Sequence, residues 1–129
     1  FGDDAAKLGQ YAWYEKNAAG IGERYAHRVG QKLPNPWGLY DMHGNLFELC
    51  QDWYAPYANE TVVSDPTGLT QEQVDDIRGS KPPKIQRGGA FIGQPFQGIR
   101  SASRGRVGRD DPSPGFTGFR VVRTYSVSP

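Results

Sequence analysis

The sequence predicts an α+β fold, rich in loops and sparse in regular structure, and three observations carry that expectation. Glycine (17) and proline (10) are abundant for 129 residues, so turns and irregular backbone should outweigh long elements. Residues 46–53, 84–91 and 118–125 read as strands, with alternating apolar side chains in the first and last. Helical spacing is confined to two short windows, 4–17 and 71–77.

Taken in order, Asp3 or Asp4 can cap a first helix over residues 4–17, with Leu8, Tyr11, Ala12 and Tyr14 as its apolar stripe. Residues 18–36 read as loop, closing on Pro34-Asn35-Pro36 before Trp37. In the strand at 46–53, Phe47, Leu49 and Trp53 share one face; Leu46, Glu48, Cys50 and Asp52 share the other. Residues 55–69 are a polar loop. Thr70 with Gln73 forms a capping-box pattern ahead of the helix at 71–77. The strand at 84–91 passes through Gly88-Gly89, which suggests a bulge or a close backbone approach. Residues 105–116 read as a long Gly/Pro/Asp loop ahead of the strand at 118–125.

Bulk properties set limits on function. The length suits a single domain, residues 1–129, with one modest core. The 36% hydrophobic content argues for a folded chain. No run of about 18 apolar residues occurs, so no membrane helix is expected. The opening FGDDAAKLGQ lacks the pattern of a signal peptide. Cys50 is the only cysteine, which excludes chemistry needing two thiols of this chain and leaves the compartment open.

Charge is unevenly placed. Residues 1–77 hold 5 basic and 12 acidic side chains, and residues 78–129 hold 10 basic and 2 acidic. Two readings stand: the halves pack together and neutralise each other, or Arg100, Arg104, Arg106 and Arg109 build an anion-binding face. No nucleic-acid motif accompanies those arginines, so nucleic acid is not an expected partner.

The segment Asp41-Met-His-Gly-Asn-Leu-Phe-Glu48 places two carboxylates seven residues apart around a glycine turn. Carboxylates and carbonyls converging there would suit a hard cation such as calcium; the plainer reading is a tight turn with a surface carboxylate. His27 and His43 have no metal-ligand spacing, and Ser101 and Ser103 lack a nucleophile context. No catalytic residue is predicted.

LPNPWGLYDMHGNLFELCQDWY, QRGGAF, RSASR and TGFRVVR, following FGDDAAKLGQYAWYEKN, together resemble the ordered motifs of the formylglycine-generating enzyme (sulfatase-modifying factor) superfamily. The resemblance runs from Phe1 to about Arg123. It implies a loop-rich C-type-lectin-like fold, and that the family's N-terminal portion is missing or supplied by another chain. It also implies a calcium loop, carried over to Asp41, the carbonyls of Gly44 and Leu46, and Glu48. The oxidases of this family hold copper(I) on two cysteines after an RGGSW motif. Counted from Arg87, those positions are Gly93 and Gly98, and Ala90 and Phe91 replace the motif's Ser and Trp. No copper is therefore expected, nor oxidation of a sulfatase cysteine. The iron-dependent branch takes its histidines from a helical domain not found here.

The expected function is a non-catalytic module that binds a protein or small-molecule ligand at loops 92–99 and 105–117. Phe91, Ile92, Gln94, Phe96, Arg106 and Arg109 are its candidate contacts. Variable proteins of diversity-generating retroelements use the same scaffold and concentrate variation there. Two alternatives are part of a family enzyme completed by other domains, and a structural subunit of a larger assembly.

Overall fold

A computed structural model describes residues 2, 4–57, 68–94, 98–108 and 115–123. Strands β1 (Phe47–Trp53), β2 (Lys84–Arg87), β3 (Gly105–Val107) and β4 (Thr117–Gly118) form one mixed sheet in the order β3-β2-β1-β4. β2 runs antiparallel to both β1 and β3, while β4 lies parallel to β1. The helices are short: α1 (Leu8–Tyr11) and α2 (Gln71–Asp75), with 3₁₀ turns at Ala5–Lys7, Glu15–Asn17 and Ala19–Ile21. The fold is α+β and loop-rich, as the glycine and proline content predicts. No helix among the described residues is long and apolar enough to cross a membrane.

The continuous helix expected over residues 4–17 is broken. After Tyr11 the chain turns extended at Ala12, with φ −140° and ψ 145°. Asn17 explains the break: its side-chain oxygen accepts the Tyr14 N–H at 2.9 Å and its amide donates to the Ala12 carbonyl at 2.9 Å. Short polar side chains compete in this way with the helical ladder. The released Trp13 then bridges to Gly44 in parallel fashion. What the apolar stripe does fix is the core, where Leu8, Ala12 and Tyr14 pack with Ile99.

The helix after Thr70 forms with the capping box the sequence predicts. Thr70 Oγ1 accepts the Gln73 N–H at 3.2 Å, and Gln73 Oε1 accepts the Thr70 N–H at 2.8 Å. It ends two residues earlier than expected, where the Lys81 ammonium donates to the carbonyls of Val74, Asp75 and Ile77.

In β1 the register shifts between Leu49 and Trp53. Leu49 and Trp53 nevertheless line the same cavity, of about 570 Å³, with Val74 and Val107. The strand expected to run through Gly88-Gly89 stops at Arg87, because both glycines take positive φ (84° and 78°) and turn the chain inward. β3 forms where a loop was expected. Gly105 packs against the Gln86 side chain, a contact that alternation of side chains does not encode. At the C-terminal end only Thr117 and Gly118 pair. Phe119, Val121 and Val122 are 79%, 82% and 85% exposed. Residues 124 and 125 of the expected strand lie outside the described residues, as do 58–67 and 109–114 of the expected loops.

Candidate functional site

The turn between Asp41 and Glu48 is where the chain's distant parts meet. Gly44 has φ +73°, and a Cβ there would stand 1.9 Å from the Trp13 carbonyl oxygen, so only glycine fits. Its N–H donates to the Gly88 carbonyl at 2.8 Å. Asn45, 5% exposed with φ 60°, is the hub. Its N–H donates to Trp13 O, its carbonyl accepts the Phe91 N–H, and its side-chain amide is bonded to both the N–H and the carbonyl of His27. A buried asparagine with its groups met in this way specifies one arrangement of three segments. Sequence reasoning passed over Asn45; the one signal was Asn after Gly in a turn.

Asp41, Gly44, Leu46 and Glu48 are among the residues that line one cavity of about 410 Å³. Asp41 is 8% exposed and adopts φ 54°. One of its carboxylate oxygens accepts the Gly30 N–H at 2.8 Å; the other is buried with no hydrogen-bond partner among the described residues. That orphan acceptor faces the requirement of a hard cation for oxygen donors. At the other end Glu48 already holds a cation. Arg120 Nε lies 3.1 and 2.9 Å from its two oxygens, and Arg120 also donates to the Tyr40 carbonyl at 2.9 Å. The bonded Glu48 carboxylate raises the Arg120 pKa, burial opposes it, and the charges of Glu48 and Asp41 add to the rise.

The two histidines serve packing. His43 Nδ1 lies 2.7 Å from the Ile99 carbonyl. His27 stacks on Trp13 at 3.8 Å between ring centroids and pairs with Glu23 at 2.8 Å. No group of three His, Cys, Asp or Glu side chains suited to a metal occurs among the described residues.

Residues 88–94 and 98–99 pack against this turn, through the bonds of Gly88 to Gly44, Phe91 to Asn45 and Ile99 to His43. Gly89 lets the chain pass against Gly98 and Ile99, where a Cβ would stand 2.3 Å from Ile99 Cγ2. Ala90 is fully buried. Phe91, a candidate ligand contact, is 2% exposed with its ring against Phe116 at 5.4 Å, so its side chain is a packing element and not a contact surface. At Gly93 a Cβ would meet Ile99 Cγ2 at 2.7 Å and the Ala90 carbonyl oxygen at 3.0 Å; Gly98 faces open space.

Of the other candidate contacts, Ile92 and Gln94 are exposed. They follow the buried Phe91 on a turn whose Gly93 carbonyl accepts the Glu15 N–H. Arg106 is exposed on β3, with its guanidinium over the Tyr54 ring at 4.8 Å. Phe96 and Arg109 lie outside the described residues.

Comparison with known proteins adds four findings. The family model for a sulfatase-modifying factor enzyme 1-like domain matches residues 2–125. The formylglycine-generating enzyme of Streptomyces coelicolor is 31% identical over 77 residues, which is 59% of this chain and 22% of that protein. A serine/threonine-protein kinase, pkn1, of Chlamydia pneumoniae is 54% identical over 33 residues, 26% of this chain and 5% of the kinase. Among solved structures, Treponema denticola variable protein 1 superposes with a TM-score of 0.66 at 29% identity, covering 92% of this chain and 37% of that one. The chain thus spans well under half the length of each relative.

Proposed function

Because this chain belongs to the sulfatase-modifying factor enzyme 1-like family, we propose that it is a non-catalytic member, a module that binds a protein or small-molecule ligand. The observation that carries this reading is at Gly93. One of the two positions where the family's oxidases would place a copper-binding thiolate has its side-chain space filled by the buried Ile99 and the Ala90 carbonyl. Gly98 offers space and no donor. A soft ion needs thiolate ligands, and Cys50 stands on β1, in another segment. The ligand surface is the exposed pair Ile92 and Gln94, together with Arg106. Treponema denticola variable protein 1 shares the scaffold over 92% of this chain.

Calcium belongs to the same reading. Asp41, Glu48 and the carbonyls of Gly44 and Leu46 would hold it, and its charge would pin the turn that joins the three segments. The orphan Asp41 oxygen supports a cation there. The pairing of Glu48 with Arg120 means that the ion shares or displaces a guanidinium.

Elemental analysis of purified protein tests both parts. Calcium and no redox-active metal is the expected result. Stoichiometric copper or iron, or copper-dependent formation of formylglycine in a sulfatase-derived peptide, would overturn the non-catalytic reading.

A further inference from the structure

Three arginines contact two tyrosines, Arg104 and Arg106 through the rings and Arg87 through a hydroxyl. Arg104 lies over both Tyr54 and Tyr57, at 4.5 and 4.0 Å from the ring centroids. Arg106 lies over Tyr54 at 4.8 Å. Arg87 donates to the Tyr57 hydroxyl at 3.5 Å, and its other terminal nitrogen reaches the carbonyls of Ser101, Ala102 and Ser103 at 3.2–3.3 Å. Tyr54 therefore joins Arg104 to Arg106, and Tyr57 joins Arg104 to Arg87.

None of these arginines is in an ion pair among the described residues, unlike Arg120 on Glu48. Like charges that share a tyrosine neighbour repel one another. Cation–π contacts offset part of that repulsion and hold the guanidinium planes in place. Among the described residues the guanidinium N–H groups of Arg104 and Arg106 make no hydrogen bond, since a ring face takes none of them, whereas Arg87 already donates to three carbonyls and a hydroxyl. Arg87 and Arg106 stand on neighbouring strands β2 and β3, and Arg104 immediately precedes β3, so the positions are set by backbone pairing.

We propose that Arg87, Arg104 and Arg106 form a binding site for a phosphate group. A single carboxylate would neutralise one of three charges. A phosphate monoester carries close to two charges and three strong acceptor oxygens, which meets more of the cluster's charge and more of its donors. The site deepens the proposed function by giving the chemistry of its Arg106 surface, and rests on that reading through Arg106 alone.

The test is an NMR titration that follows the arginine Nε–Hε signals and the tyrosine rings. The probes are inorganic phosphate, phenyl phosphate and acetate. Phosphate and phenyl phosphate should shift Arg104 and Arg106 together and bind more tightly than acetate. Equal affinity for the two phosphates points to the free ion, and tighter binding of phenyl phosphate points to an ester. Arg104→Gln with Arg106→Gln should weaken binding by about ten- to a hundredfold per lost charge-assisted contact. Should that pair disturb folding, Tyr57→Leu at an exposed ring removes one platform of Arg104 without removing charge, and should weaken binding several-fold.

No arginine shift at tens of millimolar phosphate would overturn the proposal, as would acetate binding equally well or affinity unchanged in a folded double variant. Ile92→Asp with Gln94→Ala separates the two readings. It should leave phosphate binding intact even where capture of a protein or small-molecule ligand at the 92–94 surface is lost or was never present.

Discussion

Gly44 shows how one residue type can be dictated by a distant backbone. Its missing Cβ makes room for the Trp13 carbonyl, thirty-one positions earlier. Gly44→Ala must add both a positive-φ penalty and a backbone clash, so it is expected to cost about 3 kcal/mol or more. Urea denaturation followed by tryptophan fluorescence checks this, and an unchanged midpoint would contradict the close approach. Cys50 is the second case. It is half-buried, its Sγ–H weakly bonded to the Glu48 carbonyl at 3.8 Å. Burial pushes its thiol pKa up, Arg87 pulls it down, and the charges of Asp52 and Glu48 add to the rise. Because the folded pKa is the higher one, this group favours folding below the unfolded pKa and loses that contribution as pH rises through the folded value. At pH 8, alkylation of Cys50 should run several-fold slower than in the urea-unfolded chain; equal rates would contradict a protected thiol.

The elements differ in how openly the sequence announces them. Helix α2 was legible because its start depends on Thr70 and Gln73, neighbours whose chemistry is local. Thr70→Ala should remove about 1 kcal/mol of helix stability. Hydrogen exchange at the α2 amides should accelerate by roughly fivefold with the sheet amides unchanged, since 1.4 kcal/mol is a factor of ten. Strand β1 was legible from the placement of Leu49 and Trp53, although its internal shift of register was not. Residues 4–17 misled because Asn17 reaches back to cut the ladder, and helical periodicity weighs apolar spacing without that competition. β3 was hidden by Gly105, whose fitness lies in the Gln86 side chain across the sheet. The four residues of the candidate cation loop lie close together in sequence and line one cavity. The pairing of Glu48 with Arg120 was not legible, because the two partners are 72 positions apart.

At the scale of the whole molecule, the uneven charge noted along the chain resolves into two local arrangements. Glu48 with Arg120 ties the acidic half to the basic one. Arg87, Arg104 and Arg106 collect on tyrosines instead of carboxylates. The sequence supplied the arginines; only the pairing of β2 with β3 brings them together. Several large apolar side chains are also exposed, among them Trp37 at 84% and, elsewhere in the sequence, Phe119, Val121 and Val122. Among the described residues the larger buried apolar side chains are few, Leu8, Tyr14, Val74, Ile85, Phe91 and Ile99, so long-range polar contacts carry a good share of its specification. The Asn45 hub then bears on time as well as on shape. Its bonds join residues near 13, 27, 45 and 91, so no one of them can form before large loops have closed. Loop closure of that kind slows the approach to the transition state. Refolding in stopped-flow experiments should therefore take milliseconds to seconds, and a submillisecond phase of full amplitude would contradict a rate set by these loop closures.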